Sequence, residues 1–302
     1  VLLLAGMPTA ARAAPIDFNG SSAYTQNFNS MTSPAAVSSV TGSAMTEVST
    51  LNGGGSVTGW YIYGLGWTGA ANKWIGADAG SSTTGGFREL IDTASPVNRA
   101  LGSQGSGSAT GFFGIVLKNT SGSTINNVAL AYDAVMNRNP STTANPYPLS
   151  YRVSTATVTS GSSTADGTFN TSAGTWTSSS LGFSTPSTGT GAPGTQAAIS
   201  PLFTIGNKSG NLTGLNWGAD QYLYIRWSET DDSGSDATAG VDNFSLSAIA
   251  VRNLSWNLAG SGTWNTTTAN WTAGSGSTTF LDGDQATFNN AAGGTITLSG
   301  VL

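Results

Sequence analysis

The chain contains no cysteine and no histidine, and only 8% of its 302 residues are charged. Each absence removes a class of chemistry. Without cysteine there are no disulfides, no thiolate nucleophile and no thiol-rich zinc site. Without histidine there is no imidazole general base, no Ser-His-Asp or Cys-His arrangement, and none of the commonest metal ligand. An ordinary soluble domain carries about 25% charged residues, so this one keeps itself in solution with Ser, Thr, Asn and Gly. Ten Lys and Arg stand against fifteen Asp and Glu, for a net charge of -5. No basic run occurs, which argues against nucleic acid as a partner. Any catalysis would have to come from carboxylates, Lys, Tyr or an oxygen-bound metal.

What is present points to strands. There are 41 glycines, abundant Thr, Val and aromatics, and few Glu or Lys at helical spacing, a composition that favours an all-β fold. Residues 1–13 read as the tail of a secretory signal peptide. A short apolar run, Val1 to Ala5, is followed by Pro8 and by the small-x-small site Ala11-Arg12-Ala13. The expected location is extracellular or on the cell surface, and no segment suggests a transmembrane span.

Residues 14–250 are expected to form a jelly-roll-like antiparallel β-sandwich. Ile16-Asp17-Phe18 and Tyr24 to Phe28 alternate as edge strands, and Trp60-Tyr61-Ile62-Tyr63 is a strand between Gly59 and Gly64. Gly111 to Lys118 reads as a central strand, and Ile125 to Tyr132 as its partner across the turn Asn119 to Ser123. Leu149 to Val153 is another short strand. From Ser154 to about Ser200 the chain is Ser-, Thr- and Gly-rich, a linker composition, but Val158, Phe169, Trp176, Leu181 and Phe183 would serve no purpose in a linker and imply anchored loops. Trp60, Trp67 and Trp74 could form an aromatic platform for a sugar ring; filling the core is the preferred account, because no other side chains bury as much apolar area.

Tyr222 to Trp227 and Val241 to Leu246 alternate cleanly on either side of an acidic loop. Asp231, Asp232, Asp236 and Asp242, with Glu229 beside them, offer hard oxygen donors of the kind that calcium takes six to eight of. Structural calcium pinning this loop is one expectation; a solvated turn capped by its own Asp side chains is the other. Glu229 and Asp232 could also be read as a glycosidase pair, although any acidic loop offers such a pair. Neither Lys118 nor Arg226 belongs to a recognisable motif.

At Val251 the pattern changes. Trp256, Trp264 and Trp271 recur every seven or eight residues, followed by Phe280-Leu-Asp-Gly-Asp-Gln-Ala-Thr-Phe288 and Gly294-Thr-Ile-Thr-Leu298. Short, evenly spaced strands of this sort suit a solenoid rung. This segment resembles the autotransporter-associated β-strand repeat proteins of bacteria, which implies that residues 251–302 are the first unit of a β-solenoid. Because one unit cannot bury its own stacking face, the natural polypeptide is expected to continue past Leu302. The larger region, through Gly59-Trp-Tyr61, Asn98 to Ser103, Ile225-Arg-Trp227, Asp231 to Asp236 and Val241-Asp-Asn-Phe244, resembles extracellular β-sandwich modules of bacterial surface and sorting-signal proteins. The resemblance implies address and fold more than activity. Together these observations predict a non-catalytic structural or adhesive protein of the cell surface, with a carbohydrate-binding module as the alternative and an accessory domain of a secreted hydrolase behind it. An extracellular glycan is the partner that the alternative implies.

Overall fold

A computed structural model describes residues 14–32, 44–51, 53–65, 74–107, 109–140, 143–159, 166–187, 199, 201–232, 235–274, 276–281, 283–289 and 293–299. The signal-peptide segment and Trp67 lie outside these residues. The main body is a β-sandwich of two seven-stranded sheets.

The first sheet contains β1 (Ile16–Phe18), β3 (Thr46–Glu47), β4 (Trp60–Leu65), β8 (Thr110–Asn119), β10 (Pro146–Ser154), β11 (Thr177–Ser184) and β13 (Tyr222–Glu229). Their order is β11-β10-β13-β8-β4-β3, with β1 parallel to β8. The second contains β2 (Tyr24–Gln26), β5 (Trp74–Asp78), β6 (Gly86–Ile91), β7 (Arg99–Gln104), β9 (Asn127–Arg138), β12 (Phe203–Leu212) and β14 (Thr238–Ile249), in the order β12-β9-β14-β7-β6-β5, with β2 also paired to β14.

Period-two alternation sends one face of each strand inward. Leu223, Ile225 and Trp227 of β13 meet Val128, Leu130 and Tyr132 of β9 in one continuous core. Trp227 is its hub: its ring stacks on Phe113 at 5.7 Å and Trp60 at 6.1 Å, and meets Tyr132 edge-on at 5.1 Å. Trp60 and Trp74 are fully buried in this core. Neither can stack on a sugar, so the platform proposed for them is lost; Trp60 donates its indole N–H to the Tyr24 hydroxyl at 3.0 Å.

Two strands expected to pair do not. β8 and β9 follow one another in sequence, yet β8 pairs with β13 and β4, whereas β9 pairs with β12 and β14. The connection crosses between sheets, held by buried Asn119, whose amide donates to the Ser123 carbonyl at 2.8 Å and the Trp217 carbonyl at 2.7 Å. The acidic loop makes the same kind of crossing, from β13 in one sheet to β14 in the other.

The outer faces of the two sheets differ. That of the first is roofed by the Ser/Thr-rich stretch: Val158 and Phe169 are buried against Tyr61, Tyr63, Phe112 and Tyr224, with Trp176 packed beside them. Arg226 lies between the rings of Phe112 and Trp176, 3.9 and 3.6 Å from their centroids, and Arg152 lies 4.7 Å from that of Tyr224. Burial and the neighbouring Arg152 both work against the charge of Arg226; the ring faces on either side compensate.

Residues after β14 form a separate small cluster, in which Leu254, Trp256, Trp271 and Phe280 are buried together. β15 (Asn253–Trp256) runs parallel to β19 (Gln285–Thr287), and β16 (Gly262–Trp264) parallel to β20 (Ile296–Leu298), while β17 (Trp271–Thr272) and β18 (Ser277–Thr278) pair antiparallel. Asp284 belongs to a tight turn: its N–H donates to Leu281 O at 3.0 Å, Gly283 has φ +92°, and its carboxylate accepts from Arg252.

Candidate functional site

Two regions concentrate polar chemistry. The first is the outer face of the second sheet, where β12, β9 and β14 lie side by side. Their registers place Asn211, Ala129 and Ser247 in one row, then Ser209, Ala131 and Ser245, then Asn207, Asp133 and Asp242. Side chains this small leave a shallow trough of about 420 Å³ lined by Ala129, Ala131, Ser209, Asn211, Ser245 and Ser247. A second hollow of about 400 Å³, lined by Thr25, Gln26, Asn27 and Asn243, adjoins it through Ser245.

Asp133 stands at the end of these rows. Its carboxylate accepts from the amide of Asn207 and, at 2.9 Å, from that of Asn243. Asn243 reaches it because β14 bulges there: the register with β9 slips between Asp242 and Ser245, and Asn243 takes φ +47°. Asn tolerates this left-handed conformation better than most residues. The bulge turns Asn243 outward, while Asp242 is 3% exposed. Burial, followed by the Asp133 carboxylate opposite, pushes the Asp242 carboxyl up to about 7, against the pull of the Asn243 N–H at 2.7 Å.

The second region is the crossing between β13 and β14. Asp236 Oδ1 accepts from the Asn145 amide at 3.2 Å and from the Asp232 N–H at 3.3 Å, and Asp232 Oδ2 accepts from the same amide at 3.0 Å. Burial, with Asp231 and Asp232 close by, raises the Asp236 carboxyl to about 6. Glu229 is 4% exposed, and burial together with Asp236 holds its carboxyl well above the usual range. A hollow of about 270 Å³ opens beside them, lined by residues that include Gln104, Gly105, Arg138, Asp231 and Asp236.

The four aspartates expected to share a site do not all come together. Asp231, Asp232 and Asp236 do gather. Asp242 does not join them: six residues beyond Asp236, in a strand that rises about 3.3 Å per residue, it faces Asp133 on the second sheet. Among the described residues, no three carboxylates stand close enough to hold a metal by themselves. The pair suggested for hydrolysis shares no cleft either, since the carboxylates lining the hollow are Asp231 and Asp236, with Glu229 set behind Gly105. Missed altogether was Asp133 with its two asparagines, because an Asp inside an alternating strand gives no sign of which strand will lie beside it.

No protein-family model and no curated protein matches the sequence. Solved structures similar to the chain include TmCBM61 in complex with beta-1,4-galactotriose, at 8% identity and TM-score 0.27 over 63% of this chain and 88% of that one. The K2 cleaved adhesin domain of Lys-gingipain is 13% identical, with TM-score 0.28 over 76% of this chain and 100% of that one. The MgGH51 α-L-arabinofuranosidase is 11% identical, with TM-score 0.29 over 73% of this chain and 26% of that one. Likenesses this distant carry no functional information. Among the described residues no helix is long and apolar enough to cross a membrane.

Proposed function

We propose that this chain is an exported, non-catalytic recognition module of the bacterial cell exterior, and that it binds a glycan along the outer face of its second sheet. One observation carries this reading: the first sheet's outer face is roofed, while the corresponding face of β12, β9 and β14 carries a trough lined by small hydroxyl, amide and methyl groups. Its volume of about 420 Å³ falls within the range of small-molecule sites, about 300–1,000 Å³. The Asp133 carboxylate and its two asparagine amides supply planar donors and acceptors that match the vicinal hydroxyls of a sugar. Hydrolysis is the weaker account, because a carboxylate pair would have to flank an open cleft and Glu229 is buried.

Export is supported by the leader-like residues 1–13. The C-terminal segment fits the opening coil of a β-solenoid: Asn253 pairs in parallel with Gln285 and Gly262 with Ile296, so the chain returns beside itself after 32 and 34 residues. A stalk of that kind would suit an adhesive protein of the autotransporter-associated repeat type.

A glycan array followed by calorimetric titration of any hit tests the proposal. The wild-type chain is expected to retain at least one extracellular polysaccharide or oligosaccharide. Ala131→Trp, which puts a large ring in the middle of the trough, should weaken that binding at least ten-fold while leaving the melting temperature within a few degrees. An array without a hit, or an unaltered affinity in A131W, would overturn it.

A further inference from the structure

The two hollows on the outer face of the second sheet belong to one row. The registers run from Ser209 to Ala131, from Ala131 to Ser245 and from Ser245 to Thr25, so a line of short side chains crosses β12, β9, β14 and β2 without a break. Three strand spacings of about 4.8 Å make it about 14 Å long. Ser245, the residue common to both linings, is too short to wall one hollow off from the other. Amides and one carboxylate edge the row. Asn207 and Asn243 are exposed and each donates an amide N–H to Asp133; an amide has a second N–H and an oxygen besides. Asn27 continues the edge onto the second hollow.

What can lie along this row follows from what the row lacks. The main-chain groups of β9 are taken by β12 and β14, and those of β14 by β9 and β2, so an added peptide strand finds no ladder to join. Among the described residues that line the two hollows there is no Lys or Arg, and the one ring, that of Phe244, is buried in the core. Lys208 lies between Asn207 and Ser209, but it is registered with Tyr132, whose ring is in the core, and alternation gives it to the other face. An acidic ligand therefore meets the Asp133 carboxylate with no cation in the linings to offset it, a repulsive element of the kind that sets specificity. A single sugar gains little, because no ring offers it a stacking face and each hydrogen bond to the floor replaces one to water. Contacts this weak must be summed over several rings of one chain.

We infer that the two hollows act as one groove for an uncharged, extended glycan laid across β12, β9, β14 and β2, and that Asp133 selects against acidic sugars. The inference rests on the glycan reading of this face and narrows it to a class of ligand, a neutral chain and not a single sugar or a uronate polymer.

The test is electrophoresis of the full chain through gels containing galactan, xylan, mannan or β-glucan, and through gels containing polygalacturonate or alginate, followed by calorimetry with the monosaccharide and the hexasaccharide of whichever polymer retards it. At least one neutral polymer should retard the chain and neither acidic one should. The hexasaccharide should bind at least ten-fold more tightly than the monosaccharide. Thr25→Trp, which fills the second hollow alone from an exposed position on β2, should weaken hexasaccharide binding about ten-fold; Asn27→Trp, in the same hollow, serves if T25W fails to fold. Asp133→Asn removes the charge and keeps the shape, and should raise retention by the acidic polymers relative to the neutral ones. If A131W loses the hexasaccharide while T25W and N27W bind it as wild type does, the glycan reading stands and the single groove falls. Equal retention of the wild type by acidic and neutral polymers, or an unchanged ratio in D133N, would overturn the selection by charge. Retention by no polymer would overturn the inference together with the reading beneath it.

Discussion

Replacing Trp227 with Ala is expected to lower the stability of the sandwich by about 3–5 kcal/mol, the range found for large aromatic truncations in packed cores. That is a large fraction of a domain's total of about 5–15 kcal/mol. The indole is fully buried, stacked between Phe113 and Trp60 and touched edge-on by Tyr132 and Phe244. These partners come from both sheets, so a hole at Trp227 loosens the contact between the sheets as well as one strand. Aromatic pairs in these geometries add about 0.5–1.5 kcal/mol each beyond the area they bury. Chemical denaturation followed by tryptophan fluorescence and circular dichroism should show a midpoint far below wild type with a single transition. Trp176→Ala removes a half-buried roofing residue from the outer face and should cost clearly less. Equal losses in the two variants would mean that the roof, and not the space between the sheets, limits stability.

That contrast explains what the sequence could and could not disclose. Strands rich in aromatic and β-branched residues were plain: Trp60 to Tyr63, Gly111 to Lys118, Tyr222 to Trp227 and Val241 to Leu246 all lie within β4, β8, β13 and β14. Which sheet each strand enters was not, because alternation records only that one face is buried. The pairing of β8 with β9 failed for this reason: the chain passes from one sheet to the other around buried Asn119, and an Asn followed by Thr, Ser and Gly looks the same in a hairpin as in a crossing. β12 escaped notice because Gly206-Asn207-Lys208-Ser209-Gly210 has no hydrophobic period; the strand forms by pairing with β9, whose inward face supplies the apolar contacts.

The candidate sites were legible in the same partial way. Asp231, Asp232 and Asp236 are neighbours in sequence and remain so in space, since a loop this short cannot separate them. Asp242 is only six residues further on, but the chain has become a strand by then. Glu229 and Gly105 are more than a hundred residues apart, and only the sheet crossing brings them together. Trp60 and Trp74 follow the general preference of large aromatics for the interior. A glycan in the trough of the second sheet would meet small polar side chains instead.

The melting temperature of the wild-type chain is expected to fall as the pH rises from about 5 to 8, and Asp242→Asn should remove much of that slope. Asp242 carries a carboxyl raised from 3.8 to about 7 by burial and by the Asp133 carboxylate across the strand pair. In the unfolded chain it releases its proton near pH 4. Between these values the native state holds a proton that the unfolded state has lost, so stability declines with rising pH, and the contribution is complete only once both states are ionised above about pH 7. Asp236, raised to about 6, and Glu229 push in the same direction from the loop; the wild type minus D242N difference isolates the bulge from them. Asn keeps the oxygen that accepts the Asn243 N–H and carries no charge to desolvate. D242N is therefore expected to be more stable than wild type at pH 8, by about 2–4 kcal/mol from a three-unit shift at about 1.4 kcal/mol per unit. At pH 4.5 the two proteins should melt within about 2 °C of each other. Parallel curves across the whole range would mean that Asp242 stays ionised in the fold, with water reaching the bulge. The slope found would then belong to Asp236 and Glu229 in the loop.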